Sequence, residues 1–187
     1  VLIERCNLRR KMLALGSSGP IENVTIRDST IGWGLYVKTH PMGGGKRDIL
    51  VENVRVASQN LTATYAPCAV GVNNEYTRPP YNGSRCARYP CSPAPGKPKP
   101  LPPRPPGPWF TGVRNLVVRN LTTEGAGAVL CAADLRGLNA SAPVEHVRFE
   151  GVRLRALAWG FSHNEWVRNV TVDATSLVLA PQQSTFF

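Results

Sequence analysis

The side chains that could move protons in this 187-residue chain are four aspartates and eight glutamates. Acid–base catalysis by carboxyl groups needs a pair whose environments push their pKa values apart. Asp28, Asp48, Asp134 and Asp173 each stand without a second acid beside them. The first three are expected in turns or in outward slots of strands. His40, His146 and His163 show no metal-like spacing, and no CxxC or Cys/His cluster occurs, so no metal or organic cofactor is expected. His146 and His163 read as surface residues. The cysteines are Cys6, Cys68, Cys86, Cys91 and Cys131. Cys86 and Cys91 lie close enough in sequence for a small local disulfide, and the odd count leaves one over. Cys6 and Cys131 read as buried small hydrophobes.

Binding chemistry is suggested by charge. The chain holds 22 Lys+Arg against 12 Asp+Glu, a net +10. Six of these charges, Arg78, Arg85, Arg88, Lys97, Lys99 and Arg104, sit within 77–109, where there is no acid. Nucleic-acid binding needs a basic face on folded structure, and a basic stretch of this kind does not supply one, so that partner is not expected. No run of about 18 apolar residues occurs, which argues against a spanning helix and a membrane partner.

Asn-x-Ser/Thr occurs six times, at Asn23, Asn60, Asn82, Asn120, Asn139 and Asn169. The excess suggests a secreted glycoprotein, extracellular or in a cell wall. Asn23 and Asn169 fall in fixed slots of a repeat, so Asn60, Asn82 and Asn139 are the candidate glycosylation acceptors.

The elements that must position these residues come from that repeat. Ile21–Ile31, Arg47–Val56, Val113–Thr123, Val144–Leu154 and Val167–Leu177 align without gaps, and Val1–Leu8 is a truncated sixth unit. In each, apolar and polar residues alternate, as in Val24/Ile26, Ile49/Val51, Leu116/Val118, Val147/Phe149 and Val170/Val172. Period two with β-branched residues means strand. A second short strand follows most units, at Leu13–Leu15, Leu35–Val37, Ala69–Val72 and Ala128–Leu130. One strand pair per unit, with no room for a helix between, predicts an all-β parallel β-helix of about six coils. The opening inside a strand-like run predicts a partial domain, truncated at its N-terminal side. The whole of 1–187 is read as that partial domain. Twelve of the 17 prolines lie between 79 and 108, so 77–109 is predicted to be a Pro-rich basic loop inserted between coils.

Several of these segments, in this order, resemble a known family. Leu13-Ala-Leu-Gly-Ser-Ser-Gly-Pro-Ile-Glu-Asn-Val-Thr-Ile26, then Gly34-Leu-Tyr-Val-Lys-Thr39, is similar to the "SIGS", "ENVTI" and "G-I-R-I-K-T" run of the polygalacturonases, glycoside hydrolase family 28. Met42–Gly45 with Arg47–Val54 matches the Gly-rich turn and coil that follow. Cys68–Tyr76 resembles "P-I-x-I-x-x-x-Y", and Trp166–Pro181 resembles the family's end. The resemblance is to the C-terminal half and spans nearly the whole chain apart from the insertion.

It implies a right-handed β-helix and inverting hydrolysis of α-1,4-linked galacturonate in pectin. Inversion needs two carboxyl groups about 6.5–9.5 Å apart to admit a water. The family's N-x-D and D-D acids would precede residue 1, so no catalytic residue is expected within the chain. The substrate-binding residues implied are Lys38, on the family Lys; Tyr36, where the family has Arg; Tyr76, on the family Tyr; and Lys11, on the family's His. The implied partner is acidic polysaccharide, bound by a monomer. The alternative is a non-catalytic β-helix wall protein binding the same polymer.

Overall fold

The computed structural model describes residues 1–9, 13–16, 19–32, 34–38, 44–57, 68–73, 112–125 and 127–179, less the side chains of Asn73, Leu130, Ala158 and Trp159. Among these residues there is no helix, and every strand-to-strand ladder is parallel. Sheet A runs through β1 (Leu2–Glu4), β4 (Ile21–Arg27), β7 (Lys46–Glu52), β10 (Val113–Arg119), β13 (Val144–Glu150) and β15 (Val167–Val172). Sheet B is built from β2 (Asn7–Leu8), β5 (Thr30–Ile31), β8 (Arg55–Val56), β11 (Thr122–Thr123) and β16 (Leu177–Leu179). Sheet C holds β3 (Leu13–Gly16), β6 (Leu35–Lys38), β9 (Cys68–Asn73) and β12 (Val129–Arg136). The long β14 (Arg153–His163) serves sheet B with its first half and sheet C with its second. Three parallel sheets of stacked strands, visited in the order A, B, C, are consistent with the parallel β-helix expected from the repeat.

The alternation places columns of apolar side chains inside the sheets. Val24, Ile49, Leu116, Val147 and Val170 lie opposite one another in sheet A, and so do Ile26, Val51, Val118, Phe149 and Val172. Val37, Val72 and Leu135 face them from sheet C, and Ile31, Val56 and Leu154 from sheet B. Phe149 and Phe161 pack against each other, ring centroids 4.7 Å apart. The register is unbroken between Ile49 and Leu116, the widest interval in the repeat. The loop expected at 77–109 lies outside the described residues.

Two findings go beyond the sequence reading. Sheet B was not foreseen, because most of its strands have two residues, too few to show alternation. Cys131, read as a small hydrophobe, is indeed buried, but it forms a disulfide with Cys68 on the neighbouring strand. The bridge closes a stretch of 63 residues that includes 77–109, and its chain-entropy contribution is roughly 4 kcal/mol. Cys6 is half-buried and unbridged. The Cys86–Cys91 pairing lies outside the described residues.

The sharp corners rest on left-handed residues. Asn23, Asp48, Asn115, His146 and Asn169 occupy the third position of the sheet A strands with φ of 53–57°. Asp28, Asn53 and Asn120 do the same at the A-to-B corner, with Gly151 at φ 61° in the next turn. Asn and Asp tolerate this conformation because their short polar side chains bond locally. Here they bond from one strand to the next: Asn115 donates to Asp48 (2.8 Å), Asn120 to Asn53 and Asn53 to Asp28 (both 3.1 Å).

Candidate functional site: the outer face of sheet C

Tyr36 and Lys38 lie two residues apart on β6, so both project from the same side of sheet C. The alternation that buries Leu35 and Val37 aims them outward. The register extends each into a row. Tyr36 lies in the row Ala14, Tyr36, Gly71, Asp134, Ser162, and Lys38 in the row Gly16, Lys38, Asn73, Arg136. Strand spacing of about 4.8 Å puts the Lys38 and Arg136 positions roughly 10 Å apart.

The small residues in these rows make the room. The Tyr36 ring leans over Gly71, where a Cβ would come within 2.6 Å of Tyr36 Cδ2. The Lys38 stem runs over Gly16, and its ammonium sits 5.1 Å from the Tyr36 ring centroid. This cation–π contact holds the charge beside an aromatic surface on which an apolar sugar face could rest. Further along, Asp134 accepts from Arg136 Nε (3.0 Å) and from the Ser162 hydroxyl (3.0 Å).

Beneath the C-to-A corner lies Lys46, completely buried in a row otherwise filled by Ile21, Val113, Val144 and Val167. Its ammonium donates to the carbonyls of Gly19 (2.7 Å) and Gly44 (3.2 Å), linking the residues just before β4 and β7. Burial pushes its pKa down from the ordinary lysine value.

The structure places Tyr36 and Lys38 on one face and adds Asp134, Arg136 and Ser162, which the sequence reading did not assign to it. Tyr76 and Lys11 lie outside the described residues. The remaining aspartates make hydrogen bonds within the fold. Asp28 and Asp48 hold asparagine amides, while Asp173 accepts from Ser176, Thr175 and the Gly151 amide. The two hydroxyl bonds chiefly hold its carboxyl down at about 2. His146 and His163 are exposed, as read. Among the described residues there is no group of three metal-ligating side chains, and no helix is long and apolar enough to cross a membrane.

The candidate glycosylation acceptors divide. Asn60 and Asn82 lie outside the described residues. Asn139 is exposed, and its Oδ1 accepts from the Ser141 and Ala142 amides, leaving its amide nitrogen unengaged among the described residues. The Asn120 amide nitrogen, by contrast, is committed to Asn53.

Searches against protein-family models, curated proteins and solved structures find no match to this chain.

Proposed function

We propose that this protein binds acidic polysaccharide along the outer face of sheet C. In this reading it is the C-terminal part of a polygalacturonase-like glycoside hydrolase, secreted to act on α-1,4-galacturonosyl linkages in pectin by inversion. The observation that carries the reading is the shared face of Tyr36, Lys38 and Arg136. A cation beside an aromatic ring suits a polymer that offers a carboxylate and an apolar ring face on each residue. The catalytic aspartates of such an enzyme are not among these 187 residues. The same reading makes the fold a right-handed solenoid of about six coils with 77–109 as an inserted loop.

One observation favours a second reading, a non-catalytic wall protein. The carboxylate on this face, Asp134, is held by Arg136 and Ser162 and is placed as a structural acid rather than a proton shuttle. Affinity electrophoresis in polygalacturonate tests the binding. Retardation should weaken with added salt, because the attraction is screened, and should weaken in Lys38→Ala. Retardation that ignores salt would contradict the electrostatic basis. Reducing ends released by the longest secreted form separate the readings. Release supports the hydrolase, and its absence despite binding supports the wall protein. The 187-residue chain alone should release none.

A further inference from the structure

We propose that the A-to-B corner carries a second binding site, for an acidic sugar, on a different face from Lys38. A groove of about 400 Å³ opens there across three successive turns, lined among others by Asp28, Thr30, Asn53, Arg55, Asn120 and Thr122. That volume lies in the range of small-molecule sites, about 300–1,000 Å³.

The chemistry of the lining selects the ligand class. Thr30, Arg55 and Thr122 are register partners on β5, β8 and β11, so their backbone positions follow one another at about 4.8 Å per strand along the groove. The Arg55 side chain is exposed and makes no hydrogen bond or ion pair among the described residues. On sheet A the comparable arginines meet glutamates, as Arg119 meets Glu52 and Glu150. Arg55 is thus a planar fork of donors awaiting a carboxylate. The opposite wall is an acceptor. Asp28 Oδ1 holds the Asn53 amide, and its second oxygen lies 3.9 Å from Arg27 Nε, leaving lone pairs that can receive sugar hydroxyls. A phosphate monoester on Arg55, with about twice the charge of a carboxylate, would be repelled more strongly by Asp28. A uronosyl residue uses both, with its carboxylate on Arg55 and its hydroxyls on Asp28 and the threonines. The groove lies away from Lys38, so the site stands even where the sheet C reading fails.

Amide chemical shifts of the 187-residue chain test this. The probes are trigalacturonate, its methyl ester and inorganic phosphate, titrated in turn. Trigalacturonate should shift the Thr30, Asn53 and Thr122 amides in the wild type and equally in Lys38→Ala. Arg55→Met should weaken this response about tenfold, as should methyl esterification, because each removes one half of a charge-assisted bidentate pair. Asp28→Asn should weaken it less. No shift at the corner, a response that survives Arg55→Met, a stronger response in Asp28→Asn, or phosphate competing as well as the sugar acid would each overturn the proposal.

Discussion

The outer faces of sheets A and C carry cations in opposite company. On sheet A, charge is closed upon itself. Arg27 meets Glu4 at 2.7 Å, Arg47 meets Glu22 at 2.9 Å, Arg114 meets Glu145 at 2.8 Å, and Arg119 bridges Glu52 and Glu150. The guanidiniums of Arg27, Arg47 and Arg119 are held more firmly protonated by those glutamates, Glu150 most of all for Arg119. On sheet C, the Lys38 ammonium sits 5.1 Å from the Tyr36 ring centroid and its stem runs over Gly16, while Asp134 pairs with Arg136. The same backbone stack makes the sheet A face a ladder of ion pairs, and in the proposed reading it leaves the sheet C face to receive an anion. Net charge alone does not distinguish them; the cross-strand register does.

The comparison assumes that both faces stand on one core, and the largest expected effect tests that. Leu116→Ala, beneath the sheet A ladder, should cost about 2–5 kcal/mol in urea unfolding, because its neighbours on both strands cannot close the cavity. Polysaccharide binding should then fall only in step with unfolding. Loss of binding in a variant that circular dichroism reports as folded would mean that the faces are coupled by more than the core.

Lys46 sharpens the contrast, since it is a cation paired with carbonyls rather than with an acid. Its pKa is depressed in the folded state, so the unfolded chain binds the extra proton between that value and the ordinary 10.5. Wild-type stability should therefore rise with pH through that window, and Lys46→Met should lose this rise. Urea midpoints at neutral and alkaline pH measure it. Equal slopes for the two proteins would contradict the assignment. The smallest effect belongs to Asp173. Its carboxyl is depressed to about 2 from 3.8, so its contribution is full above that ordinary value and is lost as pH falls toward 2. The difference between wild type and Asp173→Asn should shrink over that window in acid unfolding.

Much of the fold was legible because alternation in Val24/Ile26 and Leu116/Val118 is a local property of sequence. The disulfide was not. Cys68 follows Ile49 by 19 residues, whereas Cys131 follows Leu116 by 15, so unequal corners hide the fact that the two stand side by side. Lys46 was missed for a simpler reason, since it falls one residue before the gapless alignment of its unit begins. Tyr36 and Lys38 were found through resemblance. Asp134, Arg136 and Ser162 join them only through register between strands far apart in sequence, a relation that no spacing in the chain displays.

The most direct test of the difference between the faces is a paired measurement of polygalacturonate affinity at low salt, with Lys38→Ala and Arg47→Ala side by side. Arg47 is exposed and already bonded to Glu22. Lys38→Ala should weaken binding several-fold while Arg47→Ala leaves it at the wild-type value. Equal loss in both variants, or no loss in either, would contradict the assignment of the anion-receiving face to sheet C.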